Sequence, residues 1–328
     1  MRRAATFSES FRELGLLVFI VILCVAVQLR NPNFLSLSNV NDLLANTAIL
    51  GILAVGMMMV LLTAGIDLSI GATLALAGMV SALTVFAYPG LSPILSVLEG
   101  IAVGTAAGAL IGLLIARFDV LPIIATLGFM YILRGVTYVV SGGAWVSSYQ
   151  MSDGFKALAT GTVLGVSNLI IIAVVIFAAF YYFINHTRTG RQIYAVGSNA
   201  EAADISGIPR RRIVWLVYAV MGALAGLAGV LWVATFASAQ GDTATGYELS
   251  VIAATVLGGV SISGGSGKVS GLVLGTILLG ILNNALPLIN VSPFWQQAIQ
   301  GFVILAAVLT NVIVKRNNQR FALRRRAI

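Results

Sequence analysis

Gly190-Arg191-Gln192-Ile193-Tyr194-Ala195-Val196-Gly197-Ser198-Asn199-Ala200-Glu201-Ala202-Ala203-Asp204-Ile205-Ser206-Gly207-Ile208-Pro209 is a polar stretch between two long apolar runs. Its punctuation is that of a short helix. Ser198 followed three residues later by Glu201 has the form of a capping box, hydroxyl and carboxylate each satisfying an orphan N–H. Gly207 suits the left-handed position beyond a helix end, and Pro209 cannot continue the helix. The expectation is a helix over 199–206, held outside the bilayer by a chain otherwise made of membrane spans. Ala202 and Ala203 are small and would let another surface approach closely. The plain alternative is a solvated connecting loop.

Working outward, the composition dictates the solvent. Hydrophobic residues make up 59% of 328 and charged residues only 9%, against about a quarter in soluble domains. Such a chain cannot cover itself with a polar surface, so the surrounding medium is lipid. One cysteine, Cys24, and one histidine, His186, exclude an internal disulfide and argue against a metal site. Met1-Arg2-Arg3 before an apolar run imitates a signal peptide. No small-x-small cleavage site follows, so an uncleaved span is expected.

Apolar runs of membrane length number ten, at about 14–29, 46–63, 69–88, 94–116, 121–140, 167–184, 213–237, 249–261, 270–288 and 295–314. The eighth is short for a full crossing and reads as a broken or tilted element. Gly100, Gly104, Gly108 and Gly112 repeat every fourth residue on one face of the fourth run, a pattern that lets helix backbones approach closely. The Lys and Arg residues set the orientation. With the N-terminus inside, the inner segments hold Arg2, Arg3, Arg12, Arg117, Arg188, Arg191, Arg210, Arg211, Arg212, Lys268, Lys315, Arg316, Arg320, Arg324, Arg325 and Arg326. The outer segments hold only Arg30 and Lys156, and Arg134 lies within a span. Both termini and the polar loop, about 185–212, are therefore expected in the cytoplasm. The net charge of +8 is then a topology signal with lipid-headgroup contacts, not a nucleic-acid surface. No separate soluble domain is visible; residues 1–328 read as one transmembrane domain.

Two glycine-broken junctions interrupt the apolar pattern, Thr63-Ala64-Gly65-Ile66-Asp67-Leu68-Ser69-Ile70-Gly71 and Gly258 through Lys268. Irregular backbone at membrane depth needs protein or a water-filled cavity to satisfy it, and broken helices often border transport paths. The first junction has two readings: a tight cytoplasmic turn in which Asp67 or Ser69 caps the next helix, or a lining of the path. The second contains Gly267-Lys268, but a phosphate loop needs glycine and Ser/Thr where Ile262 and Val269 stand. No nucleotide site follows, and ATP-driven work would need a separate subunit. Arg134, about 9 Å deep at 1.5 Å per residue, either snorkels outward or pairs with Glu99 or Glu248 near the ends of other spans. Asn283, Asn284 and Gln297 add uncharged hydrogen-bonding groups, which suit a weakly held hydroxylated solute or bonds between helices.

Glu201-Ala202-Ala203 with Gly207 resembles the cytoplasmic coupling loop of binding-protein-dependent ABC importer permeases. Gly56-Met57-Met58-Met59-Val60-Leu61-Leu62-Thr63-Ala64-Gly65-Ile66-Asp67-Leu68-Ser69-Ile70-Gly71 resembles a signature of ribose-type sugar permeases, with Ile70 where valine is usual. So do Ala125-Thr126-Leu127-Gly128 with Arg134-Gly135, Thr245-Gly246-Tyr247-Glu248-Leu249 with Val256-Leu257-Gly258-Gly259, Gly264-Gly265-Ser266-Gly267 and Leu282-Asn283-Asn284. The likeness spans about Asn31 to Val314; the terminal tails fall outside it.

The resemblance implies an all-α membrane protein of the ABC importer permease fold in a bacterial inner membrane. It also implies a second, identical or homologous permease subunit, a tandem ATPase, and a periplasmic binding protein delivering a monosaccharide. The coupling residues it implies are Arg191, Gly197, Ser198, Asn199, Glu201, Ala202, Ala203, Ser206 and Gly207. The path residues are Asp67, Ser69, Arg134, Glu248, Asn283 and Asn284. No cofactor, metal or catalytic constellation is expected. Two alternatives stand beside this reading: a branched-chain amino acid permease of the same class, and an ATP-independent secondary transporter, which would need ion-coupling carboxylates in mid-span.

Overall fold

The computed structural model describes residues 2–292 together with 295, 298, 299, 301, 302 and 305. The tenth apolar run, Gln297 and the basic C-terminal tail lie largely or wholly outside these residues. The elements in order are α1 (Arg2–Arg30), α2 (Leu37–Leu62), α3 (Ile70–Ala87), α4 (Pro93–Phe118) and α5 (Pro122–Ser141). Then follow β1 (Val146–Ser147), α6 (Asp153–Thr160), β2 (Thr162–Val163), β3 (Val166–Ser167) and α7 (Asn168–His186). After these come α8 (Arg188–Ser198), α9 (Ala200–Ile205), α10 (Arg210–Phe236), β4 (Ser238–Ala239), α11 (Tyr247–Leu257) and α12 (Val269–Leu288). Eight described helices are long and apolar enough to cross a membrane. The eighth apolar run is the 11-residue α11, which spans only about 16 Å at 1.5 Å per residue. The chain is an all-α, multi-pass membrane protein with two-residue strand pairings at its connections.

α2 is the enclosed centre, against which α7, α10, α11 and α12 pack, whereas α1, α5 and α7 leave much apolar side chain outward. The most intimate contact is the antiparallel seam of α4 and α10. A Cβ on Gly104 would run into the Gly222 carbonyl and lie 2.7 Å from Gly226 Cα. One on Gly108 would meet the Tyr218 carbonyl, and one on Gly112 would lie 3.0 Å from the Trp215 carbonyl. The glycine repeat is therefore a packing device. It lets backbones touch where no hydrophobic force drives helices together in lipid. Trp215 Nε1 adds a hydrogen bond to the Ala109 carbonyl at 3.1 Å.

One end of the bundle carries α8 and α9. The Thr63–Ser69 segment begins at that end but does not turn on its surface. Tyr218, ninth residue of α10 and 0% exposed, donates to the Ile66 carbonyl at 3.3 Å. Gly71 lies against the Ala244 carbonyl of the connection leading into α11 and against Glu248 in the first turn of α11, beyond the other end of α10. The chain thus climbs through the bundle interior between α2 and α3. The cytoplasmic-turn reading of this junction is corrected accordingly: the segment is a helix break enclosed by protein.

Candidate functional site

The loop between α7 and α10 is built from two helices, not one. Thr187 starts α8, its Oγ1 accepting from Gly190 N–H at 3.0 Å. Gly190, Ile193 and Val196 recur at a spacing of three and are buried, which fixes the inner face. Ser198 completes α8. The break falls at Asn199, whose backbone is extended (φ −159°, ψ 103°) and whose Oδ1 accepts from Ala202 N–H at 2.9 Å. The expected Ser198–Glu201 capping box is thus not formed. Asparagine takes the cap because Ser198 is still helical, and Glu201 points to solvent.

The end of α9 follows the expected chemistry. Gly207 has φ +74°, its N–H donates to Asp204 carbonyl at 3.0 Å, and Ile208 N–H donates to Ala203 carbonyl at 3.0 Å. That pair of bonds is a Schellman motif. Ser206 Oγ donates to the Ala202 carbonyl at 2.8 Å. Ala203, however, is 4% exposed and belongs to the chain's own core, against which Ile208 also packs. Only Ala202 of the two small residues faces outward. The outward surface of α9 is Glu201, Ala202, Asp204 and Ile205, with Ile205 83% exposed. Ile205 is an aliphatic side chain exposed at a polar helix tip, and the sequence reading did not single it out. Its signal was present: one isolated isoleucine among small and acidic residues. Arg191 is exposed on α8.

The C-terminal turn of α8 is wedged between the two glycine-broken junctions. Gly197 leaves no room for a Cβ against the Leu62 carbonyl at the end of α2, and Gly265 N lies 2.8 Å from that Cβ position. Gly265 N–H donates to the same Leu62 carbonyl at 3.0 Å. Tyr194 Oη donates to the Gly267 carbonyl at 2.8 Å. Gly264 and Gly265 both have positive φ and lie against Gly197 and Ser198. So the loop and the ends of both junctions form one contact. Beside it opens a cavity of about 320 Å³ walled by Thr63, Gly65, Asp119, Gly197, Arg210 and Tyr218.

The six path candidates divide into two groups. Asp67 and Ser69 are 2% and 0% exposed. Asp67 Oδ1 accepts from Ser69 N–H at 2.8 Å and from Ser69 Oγ at 2.6 Å, which satisfies the irregular backbone locally. Glu248 lies across Gly71 from them. Arg134 joins this region through backbone: its Nη1 donates to the Gly241 carbonyl at 2.9 Å and the Thr243 carbonyl at 2.7 Å. It forms no ion pair among the described residues, so the expected pairing with Glu99 or Glu248 is corrected. Glu99 instead accepts from Thr84 Oγ1 at 2.8 Å. The physical reason is that the connection from α10 to α11 dips into the bundle without regular secondary structure. Its carbonyls need donors at depth, and a guanidinium supplies two in one direction. Asn284 stands apart, in a reciprocal amide pair with Asn39 of α2 at 3.1 Å. That is a helix-to-helix bond. Asn283 is exposed on the same turn of α12.

Two expectations follow from this geometry. Asp67→Asn keeps the acceptor oxygen and should insert and transport near the native level. Asp67→Ala removes two bonds and leaves the buried Ser69 donors unsatisfied, a cost of about 1–3 kcal/mol, read as a lower melting temperature in detergent. Equal stability of the two variants would show that the turn does not need the acceptor oxygen. For Arg134, lysine offers a point charge without the fork. Arg134→Lys should retain part of the transport rate, and Arg134→Met almost none, in vesicle uptake.

These features define a polytopic transport subunit with a rigidly braced loop helix and a helix-broken interior. The family model described as "Branched-chain amino acid transport system / permease component" matches residues 39–308. The chain is 42% identical over 297 residues to the ribose import permease protein RbsC of Escherichia coli (strain K12), covering 90% of this chain and 92% of that one. It is 39% identical over 303 residues to the ribose import permease protein RbsC of Bacillus subtilis (strain 168), covering 92% and 94%. It is 34% identical over 312 residues to the L-arabinose transport system permease protein AraH of Escherichia coli (strain K12), covering 93% and 92%. No solved structure matches. The chain belongs to the family of branched-chain amino acid transport system permease components, within a group of sugar import permeases.

Proposed function

We propose that this protein is the transmembrane subunit of an ABC importer that carries a pentose, ribose before arabinose, from periplasm to cytoplasm. The observation that carries the reading is the pair of ribose import permeases at 42% and 39% identity over nine-tenths of the chain. The whole of 1–328 acts as one permease domain, with both termini and the α8–α9 loop in the cytoplasm, as the basic residues dictate. A second permease subunit completes the path, and a periplasmic binding protein delivers the sugar. A separate tandem ATPase grips α9: Ile205 and Ala202 enter its cleft, Glu201 and Asp204 rim it, and Asn199 and Ser206 hold the helix ends. Asp67, Ser69, Arg134 and Glu248 shape the interior that the sugar passes.

The test is uptake of radiolabelled ribose by vesicles holding the permease, its ATPase and its binding protein. ATP-dependent ribose uptake, competed weakly by arabinose and not by leucine, is expected. Uptake without ATP would favour a secondary transporter, and leucine uptake would favour the amino acid permeases. Within the same assay, Ile205→Asp should leave insertion and melting temperature unchanged, because the side chain is 83% exposed. It should abolish co-purification of the ATPase. Retained co-purification with full uptake would remove α9 from the interface.

A further inference from the structure

β2 and β3 form a hairpin at the threshold of α7, at the end of the bundle opposite α8 and α9. The register pairs Thr162 with Ser167 and Val163 with Val166, and Asn168 N–H extends the pairing to the Gly161 carbonyl at 2.9 Å. The two turn residues are Leu164 and Gly165, with φ +52° and +80°, the signature of a type I′ turn. Asparagine, aspartate or glycine normally fills the first of those positions, since an L side chain there is strained. Here a leucine occupies it and is 100% exposed, flanked by Val163 at 55% and Val166 at 41%. The fold therefore holds an aliphatic side chain outward, in a conformation it disfavours, where it touches nothing of the chain.

Charge and continuity identify what it touches instead. After Lys156 the next charged residue is Arg188, so neither the hairpin nor the helix it opens offers a charge to a protein partner. The hairpin leads directly into α7, whose Ile171, Val174 and Val175 are exposed on a membrane span. At the same end, on the connection before α6, Trp145 and Tyr149 are 62% and 88% exposed, side chains that favour the membrane–water interface. On α6, before the hairpin in the chain, Asp153 is 98% exposed and pairs with Lys156 at 2.9 Å, a charged group suited to water. We propose that the Val163–Val166 tip is a membrane anchor, with Leu164 seated in the headgroup–acyl boundary of the outer leaflet. The strands remain hydrogen-bonded to each other, and the outward-facing backbone groups of the turn stay at the level of the polar headgroups, where they find partners. The anchor would hold the long connection between α5 and α7 flat against the bilayer.

The test uses the full chain in phospholipid nanodiscs, with Cys24→Ala and a single Leu164→Cys carrying a nitroxide. Collision with oxygen should exceed collision with a water-soluble nickel chelate, placing the label a few ångströms below the phosphates. Asp153→Cys on α6, at a side chain 98% exposed, is the aqueous reference. Nickel contact at 164 equal to that at 153 would overturn the anchor. So would a label immobilised only when the binding protein is added, since the tip would then be a protein-docking surface. As an independent check, Leu164→Asn fits the turn better than leucine and should raise nickel contact at a Val166→Cys label. Unchanged contact there would show that the leucine does not seat the hairpin, and would also overturn the proposal.

Discussion

Gly104→Leu is expected to prevent assembly of the bundle, giving protein that inserts into the membrane but elutes as aggregate and is cleared by proteolysis. Any Cβ at 104 collides with the Gly222 carbonyl and crowds the backbone of Gly226. The colliding atoms are backbone on both sides, so no side chain can rotate out of the way. Ordinary overpacking costs about 1–3 kcal/mol, because neighbouring side chains adjust. Here α4 must withdraw from α10 along the entire seam, and the contacts of Gly100, Gly108 and Gly112 are lost with it. In lipid those close contacts are themselves the attraction between the helices. Gly104→Ala should be milder yet still damaging. Gly128→Ala on α5, where nothing lies near the Cβ, is the control and should be silent. Thermal melting and gel filtration of the three variants read the outcome. Native behaviour of Gly104→Leu would show that α4 and α10 do not meet as described.

The second large effect is expected at Gly197. Gly197→Val should leave the spans folded and the ATPase bound through α9, yet abolish sugar uptake. The added side chain would strike the Leu62 carbonyl and displace Gly265 N–H from it. Force applied to α9 then reaches α8 but no longer reaches the end of α2. ATP hydrolysis continuing without transport would be the mark of this failure. Coupled transport in Gly197→Val would show that the α8–α2 contact transmits nothing. Gly207→Val belongs to a different mechanism. Nothing stands within 4 Å of a Cβ at 207, so its effect arises from backbone strain at φ +74°. Gly207→Asn, which tolerates that region, should recover much of the lost activity.

The eight spans among the described residues, the two helix breaks and the short helix between Asn199 and Gly207 were legible, because each has a local cause. Twenty apolar residues satisfy lipid wherever they pack. Glycine with positive φ ends α9 through bonds reaching only three to five residues back. The glycine repeat of α4 likewise announced a close helix contact, although not that α10 was the partner. The cap was misplaced by one residue because Ser198 and Asn199 are both good caps. Which one serves depends on where α8 stops, and that is set by burial of Ile193 and Val196.

What the sequence determined by itself, then, is everything that a residue owes to its neighbours in the chain or to the lipid around it. The tertiary structure decided pairings between distant segments. Arg134 takes the carbonyls of Gly241 and Thr243, over a hundred residues away, in place of either candidate glutamate. Ala203 turns inward and Ile205 outward, though both lie on one six-residue helix. Asp67 is enclosed in the bundle because Tyr218 and the α11 connection draw its segment up from the surface. In each case the local chemistry permits several partners of similar strength. The choice falls to whichever backbone carbonyl, ring or glycine the packed helices bring within reach.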